Sequence, residues 1–207
     1  MLGGSLLAGS VGWRPALAGD PVRIVAIGDS LTAGYGLEQG TGFVPQLDAW
    51  LAAQGATATV IDAGVSGDTT AGGRARLDWA LADGADAVII ALGANDLLRG
   101  IAPETSRDNL EAMLQALDAR GLPVLLAGLR ATNNFGPDYK AAFDAMYPDL
   151  AEAYGAILHE SFLAGLETRP ELIQDDGLHP NADGVAVMVE AIGPRVLELV
   201  ARAEGAT

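Results

Sequence analysis

Short apolar runs recur along the chain with longer mixed segments between them, and the two kinds of segment follow different periods. Residues 22–27, 58–61, 87–92, 124–129 and 156–158 are rich in Val, Ile, Leu and Ala. Their apolarity is continuous rather than alternating, which predicts strands covered on both faces. Residues 42–54, 70–81, 106–120 and 138–154 lie between these runs, and a last amphipathic segment spans 182–203. Leu110, Met113, Leu114 and Leu117 fall at helical spacing, as do Val185, Met188, Val189, Ile192, Val196, Leu199 and Val200. These segments predict crossover helices whose apolar stripes face a core. Five β-α units of this kind predict an α/β fold of three layers, a five-stranded parallel sheet with helices on both sides, because right-handed crossovers place them there.

No fixed repeat, low-complexity tract or linker divides the chain, so 207 residues, half of them hydrophobic, read as one compact domain over 19–207, expected to be a monomer. The formal net charge of -15 would repel nucleic acid and anionic membrane surfaces, and weighs mildly against a coenzyme A thioester. Cysteine is absent, which removes disulfides, thiolate metal sites and a cysteine nucleophile while leaving the compartment open. Residues 1–11 are small and apolar, and Ala16-Leu17-Ala18 fits a signal peptidase site. Residues 1–18 are therefore expected to be a signal peptide directing export to the periplasm or beyond. Arg14-Pro15 interrupts the run and no basic residue precedes it, so the other reading is a disordered tail on a cytoplasmic protein. Nothing later has the roughly 18 uncharged apolar residues that a spanning helix needs, so no stable membrane insertion is expected.

In open parallel sheets ligands bind beyond the carboxyl ends of the strands, so the residues just after each run are the place to seek chemistry. The first run leads into Gly28-Asp29-Ser30-Leu31-Thr32, a glycine turn carrying a hydroxyl. After the second, Gly67 can present a backbone N–H to an anion, and after the third, Asn95 can donate from its amide. Asp176-Gly177-Leu178-His179 stands near the end, with spacing that lets Asp176 fold back on the imidazole, fix its tautomer and leave the other nitrogen free to take a serine proton. His159, the other of the two histidines, lacks a carboxylate three residues before it and reads as structural, while Asp175 rivals Asp176 and differs from it only in spacing. A hydroxyl, an Asp-His pair and two donors at one edge of one sheet make an acyl-transfer site, with Ser30 as nucleophile and His179 as base.

Four ordered blocks carry a resemblance: Gly28-Asp29-Ser30-Leu31-Thr32-Ala33-Gly34-Tyr35-Gly36, Ser66-Gly67-Asp68-Thr69-Thr70-Ala71-Gly72-Gly73, Gly93-Ala94-Asn95-Asp96 and Asp176-Gly177-Leu178-His179-Pro180-Asn181. They resemble the SGNH hydrolases, or GDSL esterases and lipases, in the branch of bacterial acyl-thioesterase I, arylesterase and lysophospholipase L1. The resemblance implies a flavodoxin-like fold, periplasmic export, a Ser30-His179-Asp176 triad, and an oxyanion hole made of the Ser30 N–H, the Gly67 N–H and the Asn95 amide. Ala94 and Leu97 stand where that branch often has glycine, which implies a narrower acyl pocket near Asn95. Residues 128–136 resemble the mobile loop that covers the acyl chain. Leu31, Asp68, Leu97, Thr132, Asn133, Asn134 and Phe135 are accordingly the expected substrate-binding residues.

The expected activity is hydrolysis of carboxylic esters, aryl and short-to-medium acyl, extending to acyl thioesters and lysophospholipids, with a small-molecule substrate and no cofactor. A carbohydrate O-acetylesterase would use the same triad with a more polar pocket. A nucleotide- or flavin-binding module on the same sheet would need a phosphate cradle, yet neither Gly-x-x-x-x-Gly-Lys-Ser/Thr nor Gly-x-Gly-x-x-Gly occurs, and retention of every polar element argues against a non-catalytic carbohydrate- or lipid-binding module. Two distant histidines supply too few ligands for a catalytic metal, so none is expected.

Overall fold

The computed structural model of the chain describes residues 20–206, so the signal-peptide reading of residues 1–18 lies outside the described residues. Among them are five strands, β1 (Val22–Gly28), β2 (Ala58–Gly64), β3 (Ala87–Ala91), β4 (Val124–Ala127) and β5 (Ile157–His159). All pair in parallel, in the order β2-β1-β3-β4-β5. β3 is buried at every position and β1 at every position but Arg23, as continuous apolarity requires. β2 lies at the edge, where Thr59 and Asp62 reach solvent.

Helix α1 (Ser30–Ala33) follows β1 directly, and α2 (Phe43–Ala53) crosses to β2. The segment 70–81, expected as one helix, is two: α3 (Thr70–Ala75) and α4 (Leu77–Ala80), interrupted at Arg76. The short α5 (Ala94–Leu98) then follows β3, and α6 (Pro103–Asp118), α7 (Pro137–Tyr154) and α8 (Ala182–Ala206) complete the chain. α2 and α8 pack together on one face, while α3, α6 and α7 cover the other. The core residues expected from helical spacing in α6 and α8 are all buried. None of the described helices is long and apolar enough to cross a membrane.

β1 sends its connection to one side, to β2, and pairs on its other side with β3, so the crossovers diverge above the carboxyl ends of β1 and β3. A crevice opens at such a point because no helix covers it. The strands end level there: Gly28 stands opposite Gly64 on one side and Ala91 on the other.

α1 lies so close on β2 that a Cβ at Gly64 would stand 2.5 Å from the Ala33 backbone nitrogen. Replacing Gly64 by Ala should therefore cost about 1–3 kcal/mol in urea denaturation. Gly205→Ala, where a Cβ meets nothing within 4 Å, should be neutral or slightly stabilising in the same measurement.

Candidate active site

The first turn of the site is set by Asp29, which caps α1 by accepting the Leu31 N–H at 3.0 Å. Gly28 is required because a Cβ there would run into the Thr32 side chain as the chain turns over the strand end. Ser30 is thereby the first residue of α1, where an N–H has no carbonyl four residues back. Its Oγ lies 2.9 Å from His179 Nε2.

The histidine comes from a self-supporting loop. Ile173 and Pro180 bridge in antiparallel fashion, the Gln174 N–H donates to the His179 carbonyl at 2.8 Å, and Gly177 turns through φ 71. Asp176 Oδ1 accepts the N–H groups of Leu178 at 2.9 Å and His179 at 3.0 Å, which aims Oδ2 at His179 Nδ1, 2.6 Å away. These bonds, led by the His179 N–H, hold the Asp176 carboxyl down at about 2. Asp176 and not Asp175 therefore partners the imidazole. The Gln174 side chain ties this loop to the serine turn, donating to the carbonyls of Tyr35 at 2.9 Å and Pro180 at 2.8 Å, and the Tyr35 ring lies 4.7 Å from the imidazole. Sequence reasoning missed both residues; the only signal was their place inside or beside the conspicuous blocks. His159 is buried on β5 and does not line the cleft that holds Ser30.

Ser30, Gly67, Asn95 and His179 line one cleft of about 520 Å³. Gly67 has φ +86, and its carbonyl accepts from Arg99 Nη2 at 2.8 Å. Asn95 Nδ2 donates to Asp29 Oδ2 at 3.3 Å, so one amide hydrogen is held by Asp29 and the other remains to donate. Burial pushes the Asp29 carboxyl up to about 6, against the opposing pull of the Leu31 N–H, the Asn95 amide and His179. α5 itself is anchored by Asp96, which accepts from the Thr70 N–H at 2.8 Å, the Thr70 hydroxyl at 2.6 Å and the Ser106 hydroxyl at 2.9 Å. That buried network sets the height of the neighbouring Asn95.

Away from the polar end the cleft is walled by Leu31, Leu97, Leu98, Leu129, Leu163, Leu166, Ile173 and Leu178, with Arg130 and Glu167 as its charged members. Of the expected substrate-binding residues, Leu31, Leu97 and Thr132 line it. Asp68 turns instead to Arg76, with 2.6 Å between its Oδ2 and Nε. Asn133, Asn134 and Phe135 form a single 3-10 turn outside the lining, and Phe135 packs on Tyr139, ring centroids 5.1 Å apart. Leu163, Leu166 and Ile173 were not foreseen, because residues 160–173 carry no periodic pattern that separates a cleft wall from an ordinary loop. Among the described residues no group of three or more His, Asp or Glu side chains is placed to hold a metal ion.

The two carboxyls act on stability in opposite directions. Asp29, raised from 3.8 to about 6, binds a proton in the folded state that the unfolded chain has lost, so its contribution falls as pH rises from about 4 to 6, by on the order of 3 kcal/mol. Asp176, lowered from 3.8 to about 2, stabilises above pH 4, and that contribution is lost as pH falls toward 2. Urea denaturation of Asp29→Asn across pH 2–7 should show the slope between pH 4 and 6 flattened and the loss below pH 4 unchanged.

Comparison with known proteins shows the family. The model of the GDSL-like lipase/acylhydrolase family matches residues 26–187. Esterase TesA of Pseudomonas aeruginosa is 38% identical over 178 residues, covering 86% of this chain and 89% of that protein. The thioesterase 1/protease 1/lysophospholipase L1 of Escherichia coli K12 is 35% identical over 187 residues, covering 89% and 87%. Among solved structures, AlinE4, described as an SGNH-hydrolase family esterase, is 44% identical with a TM-score of 0.75, over 88% of this chain and 98% of that one. With the family pattern running from the end of β1 into α8, and relatives this similar along nearly their whole length, the chain belongs to the GDSL-like lipase/acylhydrolase family, the SGNH hydrolases.

Proposed function

We propose that this chain is a serine ester hydrolase in which Ser30, His179 and Asp176 act as nucleophile, base and orienting carboxylate. The observation that carries the reading is the run of contacts from Ser30 Oγ to His179 Nε2, 2.9 Å, and from His179 Nδ1 to Asp176 Oδ2, 2.6 Å, at the polar end of an apolar cleft. Ser30 Oγ attacks the ester carbonyl as its proton passes to Nε2, giving a tetrahedral oxyanion and an imidazolium held by Asp176. The oxyanion is received by the N–H groups of Ser30 and Gly67 and the amide of Asn95, each such donor being worth about 3 kcal/mol in the barrier. Collapse expels the alcohol, which takes the proton from the imidazolium and leaves an acyl-serine. Water, deprotonated by the same imidazole, then releases the acid and restores Ser30.

The leucine-rich cleft supports aryl and short-to-medium acyl esters, with acyl thioesters and lysophospholipids in range, over the polar sugar of an acetylated carbohydrate, which would call for a more polar pocket. The printed names of the relatives, esterase and thioesterase/lysophospholipase, point the same way. Ala16-Leu17-Ala18 supports export to the periplasm or beyond.

A panel of p-nitrophenyl esters and acyl thioesters of rising chain length tests the reading on wild type and Ser30→Ala. Ser30→Ala should lower kcat by about 10⁴-fold or more, and mass spectrometry should map a fluorophosphonate adduct to Ser30 in wild type alone. Near-native turnover in that variant would refute the nucleophile, and a preference confined to acetylated sugars would favour the O-acetylesterase reading.

A further inference from the structure

Arg76 does something that no part of the acyl-transfer chemistry requires of it directly. It stands between α3 and α4 with φ -107 and ψ 10, off the helical path, and its side chain runs back to the sheet with only 16% of its surface exposed. Each of its three nitrogens donates to a different segment: Nε to Asp68 Oδ2 at 2.6 Å, Nη1 to the Ala63 carbonyl at 2.7 Å, and Nη2 to the Gly28 carbonyl at 2.9 Å. Gly28 is two residues before Ser30, Ala63 is the penultimate residue of β2 before the Gly67 loop, and Asp68 follows Gly67.

We propose that Arg76 is a positioning residue for the oxyanion donors, a planar fork that fixes the turn bearing Ser30 and the loop bearing Gly67 in one relation so that their N–H groups converge on the same oxygen. The proposal rests on the assignment of Ser30 and Gly67 made above. Two donors on separate loops must both come within about 2.7–3.1 Å of one developing charge, so a shift of a few tenths of an ångström in either loop is felt in the transition state. Guanidinium is suited to this because its donors are coplanar and rigid, whereas lysine has a single nitrogen and cannot span three acceptors so placed. Asp68, 18% exposed, is the anionic corner of the clamp, and low exposure spares the pair most solvent screening. Arg99 adds a second, weaker tether, its Nη2 donating to the Gly67 carbonyl from the end of the helix that carries Asn95. Its side chain is exposed, so its contribution is smaller.

The test is kinetic, on the full chain with p-nitrophenyl butyrate and a fluorophosphonate. Arg76→Lys should lower kcat about 10–100-fold with KM within about twofold, and should slow phosphonylation of Ser30 in proportion, since the apolar cleft is untouched while the donors are not. Arg76→Gly should recover part of its kcat on addition of methylguanidinium. Arg99→Ala should lose less, and Arg107→Lys, in the surface pair with Asp149, should lose nothing. Should the Arg76 variants fold poorly, Asp68→Asn, which leaves the carbonyl bonds in place, should still lower kcat with KM unchanged. Wild-type kcat and phosphonylation in a folded Arg76→Lys, or a loss that only follows the unfolded fraction and is not rescued by methylguanidinium, would overturn the proposal. An inactive Ser30→Ala beside a fully active Arg76→Lys overturns this proposal alone, whereas an active Ser30→Ala overturns it together with the assignment of the nucleophile.

Discussion

Three strands ending at the same height are the constraint on which the rest of this molecule depends. Gly64, Gly28 and Ala91 lie side by side at the carboxyl edge of β2, β1 and β3, and the crossovers diverge just above them. The faces of the inner strands are covered by helices, so backbone polar groups are spent on ladders and side chains on apolar packing. At this edge turns begin where the sheet's hydrogen bonding stops. The serine turn, the Gly67 loop and α5 start there within a few residues of one another, and the histidine loop closes over them from the carboxyl side. A register slip by one residue between β1 and either neighbour would separate these starting points and turn the strand faces over as well.

The site above that edge is held by burial set against charge. Asp29 is almost fully buried, and desolvation pushes its carboxyl pKa up to about 6. The cost is partly offset by what the carboxylate organises, a cap on α1 through Leu31 and the amide of Asn95. Asp176 has the opposite surroundings, open to water and fed by two backbone N–H groups and the imidazole, so it stays an anion and orients His179. Two carboxyls near one histidine thus have separate tasks because their solvation differs. The surface of this acidic chain carries conventional pairs such as Arg107 with Asp149 and Arg195 with Glu198, while Arg76 and Arg99 donate to main-chain carbonyls of the site loops.

The apolar wall of the cleft completes the chemistry. Leucines from α1, α5, the segment after β4 and the segment after β5 displace water from one side of Ser30, which strengthens every donor facing a developing oxyanion. The residues that carry charge and those that carry shape come from different parts of the chain. Polar groups sit in tight turns at strand ends, whereas the distal wall comes from 161–173, where a loop is fastened between β5 and α8.

The amino-acid sequence by itself determined whatever depends on neighbours within a few residues. Continuous runs of Val, Ile, Leu and Ala suit strands covered on both faces, as β1 and β3 are, and helical spacing in α6 and α8 picked out residues that are indeed buried. The Asp176–His179 pair was legible for the same reason, since an aspartate accepting from the two backbone N–H groups that follow is a local turn, and the turn itself decides between Asp175 and Asp176. Tertiary structure decided the contacts that no local period encodes. It broke the helix expected over 70–81 at Arg76, whose guanidinium reaches the Gly28 and Ala63 carbonyls at strand ends far away in sequence. It took Asp68 out of the cleft for that same partner and left Phe135 against Tyr139, while bringing in Leu163, Leu166 and Ile173. Periodicity records which face of an element meets apolar matter; which side chains meet each other is set only when layers pack, because that contact energy exists between segments brought together by the fold.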